Sequence, residues 1–139
     1  LLNQLQQKVK DLKLESQVEF FGFEANPFKF ISKCNLFVLP SSFEGFPNAL
    51  IEAGVIGIPL VANNCKGGIN EIINDTNGFV SQYNSVEDLA NKISLIRNKE
   101  YKSDIIKNDF ITRFDISIIS KKYYAFFKNL MENNTSPLN

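Results

Sequence analysis

"SSFEGFPNALIEAGVIGIP", Ser41 to Pro59, follows Pro40 and the apolar run Leu36-Phe37-Val38-Leu39. A short run of this kind, unbroken by polar residues, is the pattern of a strand buried on both faces of a parallel sheet. It predicts a strand over Asn35 to Leu39. Pro47 suits the first turn of a helix, where its missing N–H costs nothing, and Gly57 and Pro59 stop that helix after about Val55. Strand, loop and helix in this order form one unit of a parallel α/β sheet. Ligands of such sheets bind beyond the carboxyl ends of the strands, so Ser41 to Phe46 is delivered into the binding crevice.

Working outward, the same alternation continues. Leu2, Leu5, Val9 and Leu12 recur with helical period in Leu1 to Leu14, and Gln17 to Phe21 reads as a short strand. Pro27 opens a helix to about Lys33. Leu60 to Ala62 is a second buried strand, and Gly67-Gly68 begins a short helix through Ile73. Asn77-Gly78-Phe79-Val80 reads as a turn and an edge strand. Ser85 is the expected N-cap of a helix with apolar face Leu89, Ile93 and Ile96, with Asp88 placed to complete the cap. Two more helices are expected, about Tyr101 to Phe110 and Ile116 to Met131. Ile116, Ile119, Tyr123, Phe126 and Leu130 make a stripe at helical spacing, which favours a core-facing helix over a membrane-surface one for the aromatic run after Lys121-Lys122. The expected fold is α/β, a Rossmann-like parallel sheet flanked by helices. One domain is expected over residues 1–131, with a polar tail over 132–139. The chain opens on a helix without the strand that such a fold places before it, as though cut from a larger one.

Composition narrows the function. The chain has 139 residues, 44% of them apolar, enough for one domain with a real core. Fifteen basic and fifteen acidic residues cancel, so the basic footprint of a nucleic-acid binder is absent. No apolar run is long enough to span a membrane and no signal peptide is present, so a cytoplasmic location is expected. Cys34 and Cys65 read as free thiols of a reducing compartment. The sequons at Asn74 and Asn133 mean little without secretion. With no histidine in the chain, it cannot build a Ser-His-Asp triad, a Cys-His pair or an HExxH zinc site.

Glu44 and Glu52 stand eight positions apart on either side of the helix start. Glu44 sits in the loop, where its carboxylate can meet a ligand. Phe46, before Pro47, cannot cap, so the amides of Asn48 to Leu50 lack a side-chain partner and form a setting that favours phosphate oxygens. Asn48 folding back as a cap is the plainer alternative. Glu52 lies one turn beyond Asn48 on the same face, and a carboxylate there accepts both hydrogen bonds of a vicinal diol such as ribose. The set suits a nucleotide-sugar, with ribose at Glu52, phosphates at the helix start and hexose at Glu44. Acids near a helix start also arise from the helix dipole alone, so the bare pair decides nothing.

The wider stretch decides more. "FVLPSSFEGFPNALIEAGVIGIPLVANNCKGGINEII", Phe37 to Ile73, resembles the donor-binding, C-terminal half of family-4 glycosyltransferases, the retaining enzymes of GT-B fold. Glu44 and Glu52 match the family's E-x7-E pair, followed by a Gly-x-Pro turn, a strand, and Gly67-Gly68 with Glu71. The resemblance extends more weakly over Leu1 to Met131, including "VEFFGF" at Val18 to Phe23. It implies Glu44 as the catalytic-site carboxylate on the donor sugar and Glu52 on the ribose. Gly45, Phe46, Asn48, Ala49, Gly67 and Gly68 would line the sugar and phosphates, and Phe23 the base. The implied donor is a UDP-linked hexose or N-acetylhexosamine, the acceptor a glycan or lipid-linked saccharide, with no cofactor and no metal. Phe21 and Phe23 fit core packing equally well, Lys66 reads as a solvated loop lysine, and Glu71 as support for a helix start.

The pattern departs from the family in one respect. Complete enzymes carry an N-terminal acceptor domain with a catalytic histidine, and basic residues for the diphosphate upstream of the point matching Leu1. This chain holds none of these, so an acceptor domain is expected as a partner in cis or in trans, with peripheral membrane attachment through it. Alone the chain is expected to lack turnover. The alternative is a non-catalytic remnant or nucleotide-binding module of a truncated or split gene. An epimerase of the same fold is disfavoured, since its acid–base machinery usually includes histidine.

Overall fold

The computed structural model describes residues 1–133, so most of the expected tail and the sequon at Asn133 lie outside the described residues. Seven helices and three strands are described: α1 (Leu2–Asp11), α2 (Phe28–Ile31), β1 (Phe37–Leu39), α3 (Asn48–Ile56), β2 (Leu60–Asn63), α4 (Ile69–Ile72), β3 (Gly78–Ser81), α5 (Val86–Asn98), α6 (Ser103–Phe114) and α7 (Ile116–Asn133). The strands form one parallel sheet in sequence order, with Val38 opposite Val61 and Val61 opposite Phe79. The expected α/β class is what is observed.

Strand β2 is central, and all four of its residues are buried. Leu60 and Ala62 join the core with Leu50, Ala53, Ile69, Ile72, Ile106 and Phe110. Val61 points the other way, as the pleat requires, toward the side on which α5 packs. Helix α5 starts as expected, with the Asp88 N–H donating to Ser85 Oγ at 3.1 Å. The Asp88 carboxylate, however, accepts from the Gln82 amide rather than closing back on Ser85.

Helices α3 and α6 pack face to face because Gly54 leaves room for a neighbour. The ring of Phe110 occupies the space a side chain there would need. A polar network locks the far end of α6. Fully buried Asn77 donates to the Ile72 carbonyl at 3.1 Å and to Asp109 Oδ2 at 3.0 Å, while its own oxygen accepts from the Asn74 amide. Arg113 pairs with Asp109 at 3.2 Å and donates to the last carbonyls of α4, Glu71 and Ile72. Both polar atoms of the Asn77 side chain are thereby satisfied, whereas the buried Arg113 Nε has no hydrogen-bond partner among the described residues.

Three expectations fail. Gln17 to Phe21 forms no strand: the sheet of the described residues consists of β1, β2 and β3, and this segment enters no ladder with any of them, although β1 has an open edge. Strand β1 is only half-buried, since it pairs with β2 alone and stands at the sheet edge. The α7 stripe is not core-facing: Ile116 is 83% exposed, and Tyr123, Phe126 and Leu130 are exposed as well. Helix α7 follows a corner at Asp115, whose carboxylate is held below its ordinary value by hydrogen bonds from the Ser117 hydroxyl and amide. It then runs off the body, packing mainly against α6. Among the described residues no helix is long and apolar enough to cross a membrane.

Replacing Gly54 by alanine tests the α3–α6 contact. A new methyl gains about 1 kcal/mol of helix propensity but forces a fully buried ring to move, at about 1–3 kcal/mol. Urea denaturation of Gly54→Ala should show a net loss of stability, and a gain would contradict the packing described.

Candidate functional site

The loops that leave the carboxyl ends of the three strands are tied to one another by their backbones. The loop after β1, Pro40 to Pro47, lies against the loop after β2. The Glu44 N–H donates to the Lys66 carbonyl at 3.4 Å, and the Gly68 N–H donates to the Gly45 carbonyl at 2.8 Å. This approach is possible because Gly67 has φ +129° and no side chain, and a Cβ there would run into the carbonyl oxygens of Glu44 and Gly45. The Phe46 ring then covers Gly68 and meets Phe114 edge-on at 6.1 Å.

Asn63, at the end of β2, was not singled out by sequence, yet it joins all three loops. Its Nδ2 donates to the Ser41 carbonyl at 3.0 Å and its Oδ1 accepts from the Asn84 amide at 3.2 Å. The side chain is buried. The signal available was an amide residue directly after a buried strand, but nothing local says what it would bind.

Helix α3 starts at Asn48, with Pro47 buried as its N-cap and no side-chain hydrogen bond at the cap. The alternative in which Asn48 caps its own helix is therefore not adopted. The Leu50 amide is taken by the Pro47 carbonyl, which leaves the Asn48 and Ala49 amides at the helix start without an intrahelical partner. Glu44 and Glu52 are both half-buried, Glu44 in the laced loop and Glu52 in the second turn of α3. Such an arrangement offers carboxylates for hydroxyl groups and a helix start for an anion.

Glu44, Gly45, Phe46, Asn48, Ala49, Gly67 and Gly68 thus fall on two touching loops and the helix start, with Glu52 one turn along. Phe23 does not share this packing. It is 95% exposed, and none of the described residues covers its ring. Phe21 is half-exposed and touches only the Phe30 ring among the described aromatic pairs. Neither is a core residue, because the segment that carries them forms no ladder. Lys66 is exposed, and its ammonium has no partner among the described residues. Glu71 is also exposed, beside a groove of about 880 Å³ between α3 and α7 lined by Phe46, Asn48, Arg113, Lys122 and Tyr123. No local pattern points to Arg113, which reaches this groove because α6 folds back over α4.

Residues 1–110 match the family described as glycosyl transferases group 1. The chain is 29% identical over 119 residues to an N,N'-diacetylbacillosaminyl-diphospho-undecaprenol alpha-1,3-N-acetylgalactosaminyltransferase of Campylobacter jejuni, covering 84% of this chain and 32% of that one. It is 31% identical over 121 residues to the lipopolysaccharide 1,6-galactosyltransferase of Escherichia coli, covering 83% and 33%. Among solved structures, Anabaena HepE in complex with UDP-glucose superposes with a TM-score of 0.77 at 27% identity, over 92% of this chain and 36% of that one. The chain spans about a third of the length of the curated relatives it matches.

Two alanine substitutions separate the role of Gly67 from that of a flexible loop. Gly67→Ala meets both a positive φ and two carbonyl oxygens, and should cost about 1–3 kcal/mol in strain alone. It should also speed hydrogen exchange at the Glu44 and Gly68 amides. Gly45→Ala points into open space and should leave stability within about 0.5 kcal/mol. Equal effects from the two in denaturation and exchange would refute the close approach.

Proposed function

The chain belongs to the glycosyl transferases group 1 family, and from that premise we propose that residues 1–131 hold the nucleotide-sugar donor of a retaining GT-B glycosyltransferase. The donor is a UDP-linked hexose or N-acetylhexosamine, and the acceptor a glycan or lipid-linked saccharide. What carries this reading is the juxtaposition of Glu44, fixed by the laced loops, with the uncapped start of α3 and with Glu52 in its second turn.

In this reading Glu52 accepts from the ribose diol. The Asn48 and Ala49 amides face the diphosphate, where the positive end of α3 offsets charge as the sugar leaves. The Gly45 and Phe46 amides contact sugar or phosphate, Gly67 and Gly68 let the backbone lie close to them, and Glu44 orients the hexose. Phe23 and its loop border the base. In the transfer, the bond from C1 of the sugar to the diphosphate oxygen breaks with its electron pair going to UDP. The acceptor oxygen bonds to C1 on the same face, and its proton leaves with UDP. Helix dipole and amides meet the diphosphate charge, without a metal. The UDP-glucose bound in the HepE complex and the sugar transfers named for the relatives support a donor of this class.

The acceptor is shared with a second domain, which the exposed face of α7 and the strand ends would meet. Exposed apolar surface such as Ile116, Tyr124 and Phe127 is of the kind that marks an interface. Positioning both substrates contributes about 7–11 kcal/mol to lowering such barriers. The 139-residue chain alone, given UDP-sugars and a lipid-linked acceptor, should therefore show hydrolysis at background rate and no transfer. Transfer at ordinary enzymatic rates would show that one domain suffices.

The site assignment is tested by calorimetric titration with UDP and with UDP-glucose. Glu52→Gln should weaken both ligands about tenfold or more, because the ribose is common to them. Glu44→Gln should spare UDP and weaken UDP-glucose. Equal weakening of both ligands by Glu44→Gln would remove Glu44 from the hexose.

A further inference from the structure

A second cavity lies beside Glu44, on the carboxyl ends of all three strands. It measures about 360 Å³ and is lined by Ser42 and Phe43 from the loop after β1, Asn64 and Lys66 from the loop after β2, and Tyr83 from the loop after β3. Its walls are fixed in place. The Glu44 N–H bonds to the Lys66 carbonyl, the Asn64 N–H donates to the Ser81 carbonyl at 3.0 Å, and Asn63 holds Ser41 and Asn84 on either side.

The groups that converge there are of one kind. Lys66 Nζ, the Ser42 and Tyr83 hydroxyls and Asn64 Nδ2 have no partner among the described residues, although Asn64 Oδ1 is engaged by Asn70. All four groups can donate, and no carboxylate lines the cavity. Two aromatic rings stand over it, Phe43 at 77% and Tyr83 at 54% exposure. Exposed rings at a cleft, held next to a rigid loop, leave their faces open for a ligand to stack on. The electron-rich face of an aromatic ring meets the C–H face of a pyranose well, while the surrounding donors suit its oxygens. A lone ammonium without a carboxylate adds a preference for an anionic substituent.

We propose that this cavity is a saccharide subsite for an acceptor hexose that carries an anionic group, a carboxylate or a phosphate. The ring stacks on Phe43 and Tyr83, and Lys66 Nζ binds the anion. Phe43 immediately precedes Glu44, and the Glu44 N–H bonds to the Lys66 carbonyl, so the cavity adjoins the loop that carries the proposed donor-sugar carboxylate. The inference rests on the donor reading of Glu44 and extends it to the second substrate.

The 139-residue chain, labelled with nitrogen-15, can be titrated with glucuronate, glucose 6-phosphate, glucose and inorganic phosphate while its amide resonances are followed. Glucuronate or glucose 6-phosphate should shift the amides of Ser42, Phe43, Asn64, Lys66 and Tyr83 at lower concentration than glucose does. Lys66→Gln should reduce that preference by about fivefold, and Phe43→Ala or Tyr83→Ala should weaken glucose and the acidic sugars together. These side chains are exposed, so the variants should keep the fold, which the unshifted core resonances will report. Indifference of the five amides to every sugar, equal binding of glucose and the acidic sugars, or phosphate alone matching glucose 6-phosphate would each overturn the proposal. UDP in a separate arm should shift amides at Asn48 to Glu52 and leave these five in place. A UDP that shifts nothing would refute the donor reading, whereas a UDP that occupies the five amides would assign the cavity to the donor and overturn the subsite.

Discussion

Glu44 stands where it does because Gly67 has no side chain. Two loops from different strands can lie with their backbones in contact only if one of them presents a bare α-carbon, and here that carbon faces the carbonyls of Glu44 and Gly45. The contact lets the Gly68 amide reach the Gly45 oxygen, which in turn seats Phe46 over Gly68 and sets Pro47 and the first turn of α3. Asn63 extends the same tie to the loop after β3. The Glu44 carboxylate, the helix start and the neighbouring cavity are therefore parts of one rigid assembly, and a displacement of any one loop would move all of them.

The scaffold below this assembly is stiff for a different reason. Strand β2 is buried on both faces, and the crossover helix α3 returns across it to pack on α6 through Gly54 and Phe110. Asn77, Asp109 and Arg113 then fasten α6 to the end of α4 with hydrogen bonds in a region that water does not reach freely. Hydrogen bonds of this kind add only about 0.5–1.5 kcal/mol each, but leaving one buried partner unmade costs about 1–3 kcal/mol. The network consequently acts as a constraint on geometry more than as a source of stability. It keeps Arg113 and Phe114 over the groove that Phe46 and Asn48 share.

Rigidity at the strand ends contrasts with the surfaces left uncovered. Helix α1 has no buried residue, the segment around Phe20 to Phe23 pairs with no strand, and α7 shows most of its aromatic face. The corner at Asp115 directs α7 away from the sheet, so its apolar stripe continues past the body that would have covered it. Period alone identifies such a face as apolar. It does not identify what covers it.

The sequence by itself determined the elements whose signals are local. The apolar run before Pro40, the Pro47 start and Gly57 stop of α3, the Ser85 cap and the buried run at Leu60 each act through neighbours in the chain, and each element formed within a few residues of its expected place. The E-x7-E spacing and Gly67-Gly68 were equally legible, because they are positions along one strand–loop–helix path. Tertiary structure alone decided the rest. Whether Gln17 to Phe21 becomes a strand depends on a distant segment pairing with it, and whether the α7 stripe is buried depends on a body to cover it. The parts played by Asn63, Asn77 and Arg113 depend on groups 21 to 42 residues away in the chain. Local preferences encode the backbone path, whereas burial and long-range hydrogen bonds arise only when distant segments meet, and one segment's sequence carries no record of its partner.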